Sequence, residues 1–171
     1  MSETEKPSIF VGTSIFAIVI FAIVGWVLLG GQELQLSSLY AGFLFLWYWG
    51  EMEGAELDRF LTSLVGTMVG IGLAWSLREF PVLLGTSGTI LSIGLVLVAL
   101  YVHILKLAPF AINAATMLFL TVGAAPLILS QSNFSDITMS ALIGAVFFGC
   151  IVFVARWATT KVSQTAPQET P

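Results

Sequence analysis

The chain has 171 residues, of which 57% are hydrophobic and 9% are charged, and its formal net charge is -4. A mean hydropathy of +0.98 is too high for a soluble globular domain, because so few polar residues cannot coat a water-soluble particle of this size. The acidic balance argues against a nucleic-acid partner, and a single histidine with a single cysteine argues against a metal site. Composition therefore predicts an integral membrane protein in contact with lipid, without a metal or cofactor.

Six apolar runs, separated by charges and turn-forming residues, predict an all-α protein with six transmembrane helices. The runs are 9–29, 36–49, 60–77, 82–105, 108–130 and 137–157. The first run is too long for a signal-peptide core and is expected to remain as a span. The second reaches only about 21 to 24 Å, short of the roughly 30 Å hydrocarbon layer. It is either a partial helix near a binding site or a short helix in a tilted bundle.

The basic residues predict the orientation of these spans. With a cytoplasmic N-terminus, one basic residue, Arg78, lies outside. The others lie inside: Lys6, Arg59, Lys106, Arg156 and Lys161. This bias predicts a bacterial inner-membrane protein with both termini in the cytoplasm. One transmembrane domain, 8–158, is then flanked by polar cytoplasmic tails at 1–7 and 159–171.

Short echoes in the sequence predict an internal repeat. The triplet that begins at Gly12 recurs at Gly85, 73 positions later, and Asp58 is matched by Asp136, 78 positions later. Each copy holds three spans, so the second copy enters the membrane from the opposite side. The sequence therefore predicts a 3+3 inverted repeat of 8–79 and 80–158, an architecture common among transporters. Asp58 and Asp136 are each expected to cap the helix that follows, with Ser135 as an alternative cap in the second copy.

Four carboxylates follow the second run within eight positions: Glu51, Glu53, Glu56 and Asp58. Near a membrane mouth such a cluster gathers a cation or a proton. The other reading is a solvated cytoplasmic loop whose charges keep it out of the lipid. Glu51 is expected to be the partly buried member, because it lies one helical turn beyond Trp47.

Three further polar residues near span ends are candidates for a substrate or ion pathway. His103 ends the fourth run, where a histidine acts either as a pH-sensitive gate or as an interfacial anchor. Asn113 and Thr116 open the fifth run one helical turn apart, and polar groups inside a span usually face a neighbour or a cavity. Pro126 is expected to kink the outer end of this run.

Glycines on two runs predict close helix packing. Gly66, Gly70 and Gly72 lie on the third run, and Gly144 and Gly149 lie on the sixth. Small residues allow helix backbones to approach where no hydrophobic driving force exists. These positions are expected to pack within the subunit or between subunits of a homo-oligomer.

Known catalytic motifs, such as a phosphate-binding loop, H-E-x-x-H or G-x-S-x-G, do not occur in the sequence, and an enzyme is not expected. Two functional classes remain. The repeat and the short second run favour a transporter or channel for a small solute or an ion. Small size and glycine faces would also suit a non-catalytic subunit or scaffold of a larger membrane complex.

Several segments resemble a known group of proteins. They run from Tyr40 to Gly66, from Pro109 to Gly123 and from Ala141 to Gly144, within a similarity that covers about two-thirds of the chain. The chain resembles small bacterial inner-membrane proteins of an uncharacterised domain-of-unknown-function family related to fusaric-acid-resistance-like proteins. The resemblance implies a small inner-membrane protein and no specific activity.

Overall fold

The computed structural model describes residues 9–165, with side chains described at 13 and at 16–157. This part of the chain is helical and contains no strand. The helices are α1 Ile9–Trp26, α2 Tyr40–Trp47, α3 Leu57–Leu84, α4 Thr86–Ile104, α5 Ala114–Gly123, α6 Pro126–Gln131 and α7 Phe134–Thr165. α1 and α2 continue into π-helical turns, Val27–Glu33 and Tyr48–Met52. The predicted tail at 1–7 and the end of the second tail, 166–171, lie outside the described residues, whereas 159–165 continue α7.

Within the part of the chain that the structure describes, four helical segments are long and apolar enough to cross a membrane: Phe16–Glu33, Leu57–Leu84, Thr86–Ile104 and Phe134–Trp157. Large apolar side chains cover the outside of the bundle, among them Phe21 at 77% exposed and Ile90 at 69%. Such surfaces suit contact with lipid, where every backbone polar group is satisfied within a helix. The structure is therefore all-helical and compatible with a multi-pass membrane protein.

The turn between the third and fourth helices lies later than the sequence predicted. α3 continues through Pro81 to Leu84, and the chain reverses at Gly85, whose φ is +59°. Pro81 removes one backbone donor from the helix, a loss that a long apolar helix tolerates. Glycine adopts a positive φ without steric cost, and Gly85 N–H donates to the Pro81 carbonyl at 2.9 Å. The predicted boundary at 77–82 was wrong for this reason.

The fifth predicted run is not one helix. α5 begins after Asn113 and ends at Gly123, and Pro126 opens the separate short helix α6. Proline suits the first turn of a helix, where its missing N–H costs no hydrogen bond. Pro126 therefore starts a helix after a break instead of kinking a continuous one.

α3 and α5 pack in parallel through small residues. A Cβ added to Gly70 would lie 2.5 Å from the Thr116 carbonyl oxygen. One added to Gly123 would lie 2.6 Å from the Cβ of Ala74. The contacting residues follow one another in the same order along both helices, so the two helices run parallel. Their backbones are close enough for dispersion contacts along α5.

α2 and α7 form a second parallel pair. The Ser37 hydroxyl donates to Asp136 at the start of this pair. Farther along, a Cβ added to Gly144 would lie 2.6 Å from the Cα of Gly42. These contacts join residues about one hundred positions apart, so this pair links an early helix to the last helix of the chain.

The long helices α3 and α7 run in opposite directions at the centre. The Phe60 ring near the start of α3 lies beside Gly149, and the Arg78 guanidinium near its end lies 5.8 Å from the centroid of the Phe134 ring. α4 returns antiparallel to α3 after the turn at Gly85. α1 runs antiparallel to α7: Gly25 approaches the Phe147 ring, and earlier in α1 a surface groove is shared with the end of α7. α2, α3, α5 and α7 thus form the core, with α1 and α4 at the periphery.

Candidate functional site: a polar cavity at the start of α5

An open cavity of about 590 Å³ lies where the ends of α2 and α4 meet the start of α5. Three of the five predicted pathway residues line it: Glu53, His103 and Asn113. The other lining residues are Tyr48, Ile104, Lys106, Pro109, Ile112 and Ala114. The fold thus brings together groups that lie up to about sixty positions apart in sequence.

Glu53 supplies the carboxylate of this cavity. The buried Tyr48 hydroxyl donates a hydrogen bond of 2.8 Å to Glu53 Oε1. π-Helical winding, with its i→i+5 periodicity, accounts for this pairing, because it places Glu53 on the same side as Tyr48 five residues earlier. The carboxylate is thereby held in one orientation while its side chain remains partly exposed.

The end of α4 supplies the basic groups. His103 lies in the last turn of α4 and is partly buried. Lys106 follows with a φ of +52°, which turns the chain sharply after the helix. The cavity therefore combines a carboxylate, an imidazole and an ammonium group, and such a mixture can bind a small polar solute through both donors and acceptors.

Asn113 lines the cavity, but its polar atoms already serve the fold. Its Oδ1 accepts from the N–H groups of Ala115 and Thr116 at 3.0 and 3.3 Å, which caps α5. Its Nδ2 donates to the Thr62 carbonyl at 2.9 Å and thereby ties α5 to α3. Thr116 is fully buried, completes the capping box, and donates to the Ala111 carbonyl at 3.1 Å. These two residues position the helix at the cavity.

Glu51 does not line this cavity. Its side chain is exposed, so the expectation of partial burial was wrong. The physical reason lies in Trp47, which is itself 54% exposed, so a residue one turn later also points outward. The next two residues, Tyr48 and Trp49, face the core instead.

Most of the predicted glycine contacts occur within the chain. Gly66 lies against the Asn113 side chain, and Gly70 and Gly144 lie against α5 and α2. Gly149 lies against the Phe60 ring. Gly72 is exposed with open space where a Cβ would be, so it takes no part in this packing.

Asp136 has a different role from the one predicted. It accepts from Ser38 N–H at 2.6 Å, from the Ser37 hydroxyl at 2.9 Å and from Ser37 N–H at 3.4 Å. It therefore holds the start of α2, while the Asn133 side chain accepts from Ser135 N–H at the start of α7. Asp58 is exposed in the first turn of α3, and the N-cap of that helix, Glu56, makes no side-chain capping hydrogen bond.

No family model, curated protein or solved structure matches the chain. Across the residues whose side chains are described, no group of three or more metal-binding side chains could hold an ion.

Among the serines and threonines whose side chains are described, three buried hydroxyl groups stand apart. Ser63, Thr67 and Ser140 are at most 1% exposed, and their hydroxyls have no hydrogen-bond partner. Ser76 and Ser92 are buried as well, yet each donates to a carbonyl three residues earlier, at 2.7 and 3.0 Å. An unpaired buried hydroxyl costs about 1–3 kcal/mol, which back-bonding avoids. We call Ser63, Thr67 and Ser140 the unpaired hydroxyls.

Proposed function

We propose that the protein is a transporter or channel for a small polar solute, and that the cavity at the start of α5 is its cytoplasmic entrance. The observation that carries this proposal is the meeting of Glu53, His103 and Lys106 around an open space beside a short helix. In an apolar chain, ionisable groups gathered at one cavity mark a functional site by default. Short helices that end near a cavity are the usual binding elements of repeat transporters.

The proposed architecture has six spans in a 3+3 inverted repeat. α1, α2 and α3 form the first copy, and α4, α5 with α6, and α7 form the second. The packing supports this pairing, since α3 on α5 corresponds to α7 on α2, and α3 beside α4 corresponds to α7 beside α1. The directions inferred from contacts alternate along the chain, as six passages require.

The proposed orientation places the cavity at the cytoplasmic side of a bacterial inner membrane. Lys106 lines the cavity, and Arg156 at the end of α7 donates to the Gly54 carbonyl on the same side. Arg78 lies at the opposite end and donates to the Ser132 carbonyl. Positive residues concentrate on the cytoplasmic side of inner-membrane proteins, so both termini are cytoplasmic in this proposal. The proposal includes the resemblance to the uncharacterised inner-membrane family, and this resemblance stays a prediction.

A flux measurement tests the proposal. Purified protein is reconstituted into liposomes, and solute entry is followed by stopped-flow light scattering with a panel of small neutral solutes and amino acids. Glu53→Gln keeps the side-chain shape and removes the charge. We expect a loss of about tenfold in flux, since a hydrogen bond to a charged group is worth roughly 1.5 kcal/mol.

Glu51→Gln is the matched control, because it removes a neighbouring charge outside the cavity. It should keep wild-type flux. Proteoliposomes no more permeable than empty liposomes to any solute in the panel would contradict the transport proposal. Stoichiometric co-purification of another membrane protein would then favour the subunit or scaffold alternative.

A further inference from the structure

The charged groups at the cavity do not neutralise one another. Glu53 follows the end of α2, Lys106 follows the end of α4, and both line the cavity. Within the part of the chain whose side chains are described, the ion pair is that of Arg78 with Glu79, near the other end of α3. Glu53 and Lys106 thus form no ion pair with each other. The Tyr48 hydroxyl that donates to Glu53 is neutral and leaves the negative charge in place. The cavity therefore presents a carboxylate and an ammonium group that are both open to a ligand.

Glu53 can serve as the negative pole of the cavity for a bound ammonium group. Its side chain is partly exposed and is held by Tyr48, which is itself buried. An ionised carboxylate has about four acceptor positions, and the Tyr48 hydroxyl occupies one of them on Oε1. The remaining positions can accept hydrogen bonds from an ammonium group that enters the cavity. Hydrogen bonds between charged groups are shorter and stronger than those between neutral groups.

Lys106 and the start of α5 form the positive pole of the cavity. The Lys106 side chain is exposed and can turn towards a ligand. Ala114, the first residue of α5, also lines the cavity and is exposed. The first N–H groups of a helix have no acceptor within it, and the Asn113 side chain accepts from those of Ala115 and Thr116. The Ala114 N–H is thus left for an anionic group, which the positive end of a helix favours.

We propose that the cavity binds a small zwitterionic solute of the amino-acid class, with its ammonium group on Glu53 and its carboxylate on Lys106 and the Ala114 N–H. This inference rests on the proposed function and names its substrate class. The cavity volume of about 590 Å³ is in the range usual for small-molecule sites, which is about 300–1,000 Å³. The apolar lining, which includes Pro109 and Ile112, is left for the rest of the solute.

Simple ions and neutral solutes match this cavity less well. A cation that pairs with Glu53 also faces Lys106 at the same cavity, and an anion on Lys106 also faces Glu53. A neutral solute forms hydrogen bonds but leaves both charges without a counter-charge. A zwitterion compensates both charges at once without adding net charge. The two poles therefore select a dipolar solute over an ion or a neutral solute of the same size.

Four solutes of similar size test the proposed class. Glycine is the zwitterion, glycolamide is its neutral isomer, glycolate lacks the ammonium group, and methylammonium lacks the carboxylate. Entry into proteoliposomes is measured with isotope-labelled solutes, and entry into empty liposomes is subtracted. We expect glycine to enter about tenfold faster than glycolamide or more, since one hydrogen bond to a charged group is worth about this factor. Equal entry of glycine and glycolamide, above the level of empty liposomes, overturns the zwitterion inference while transport stands.

Variants that remove one pole should change the preference among these solutes and not only the rate. Lys106→Gln keeps the negative pole, so methylammonium should enter faster than glycine. Glu53→Gln keeps the positive pole, so glycolate should enter faster than glycine. Arg59→Gln is the control for removal of a basic residue, because Arg59 is exposed and does not line the cavity. It should keep the preference for glycine. An unchanged preference in both cavity variants overturns the inference.

Calorimetric titration of the detergent-solubilised protein separates this inference from the transport proposal. Glycine should bind the wild type about tenfold more tightly than glycolamide or more, and Lys106→Gln should lower the affinity for glycine about tenfold. Glycine binding that is absent, or no tighter than that of glycolamide, overturns the site. Glycine binding with the expected dependence, in a protein that passes none of the four solutes, overturns transport while the zwitterion site stands.

Discussion

Removal of the Asp136 carboxylate should release the start of α2. Asp136→Ala eliminates two well-formed hydrogen bonds, from Ser38 N–H at 2.6 Å and from the Ser37 hydroxyl at 2.9 Å. A third contact, from Ser37 N–H at 3.4 Å, is too long to add much. Hydrogen bonds to a charged group are worth about 1.5–3 kcal/mol each, and partial solvent access lowers this value here. We expect the free energy of unfolding to fall by about 2 kcal/mol.

The proposed repeat supplies the control for this experiment. It matches Asp136 with Asp58, which lies in the first turn of α3 with an exposed side chain. Asp58→Ala should therefore change the free energy of unfolding by less than about 0.5 kcal/mol. Both variants can be unfolded by denaturant titration in detergent micelles and followed by tryptophan fluorescence. Equal losses for the two variants would refute the assignment of Asp136 as the residue that holds α2.

Two further predictions concern packing and capping. Gly144→Ala should lower the free energy of unfolding by about 1–3 kcal/mol, because its Cβ would meet the Gly42 Cα at 2.6 Å. Gly72→Ala faces open space and should be neutral or stabilising by up to about 1 kcal/mol, so a larger loss there would contradict the packing described above. Asn113→Ala should cost about 1–2 kcal/mol in the same assay through loss of the α5 cap. Asn113→Ser can restore the cap without the bond to the Thr62 carbonyl, so its free energy of unfolding should lie between those of the wild type and Asn113→Ala. A value equal to that of Asn113→Ala would argue against capping.

Hydropathy predicted the helical class but not the lengths of all the helices. It found the long apolar segments because a membrane-spanning helix must satisfy its backbone internally and expose apolar side chains. It missed the division of the fifth run, whose apolar character continues across the break before Pro126. Local chemistry decides such a break: Asn113 starts α5 by capping, and Pro126 starts the next helix.

The candidate site was predicted in part, and backbone winding explains the remainder. His103 and Asn113 were placed at span ends, and the fold brings them together. Glu51 was chosen over Glu53 because it lies one turn beyond Trp47, but Trp47 itself faces outward and Glu51 follows it. The π-helical turn from Tyr48 instead places Glu53 beside Tyr48 at the cavity. Hydropathy carries no signal for that change of winding.

The sequence also could not predict which buried hydroxyls would lack a hydrogen-bond partner. A serine or threonine in an apolar run usually bonds back to its own helix, as Ser76 does. Thr67 has the same sequence context and does not. The difference depends on side-chain rotamers and on the close approach of neighbouring helices, neither of which a single sequence specifies.

The pairing of α2 with α7 has a consequence for biogenesis. Domains fold largely in the order in which the ribosome delivers them, but the partner of α2 is the last helix made. Until Asp136 and Gly144 emerge, α2 has neither the acceptor for the N–H groups of Ser37 and Ser38, just before its first turn, nor the surface that receives Gly42. α2 can therefore dock only after α7 has been synthesised. In a chain that stops before α7, α2 would stay undocked and would be open to attack by quality-control proteases.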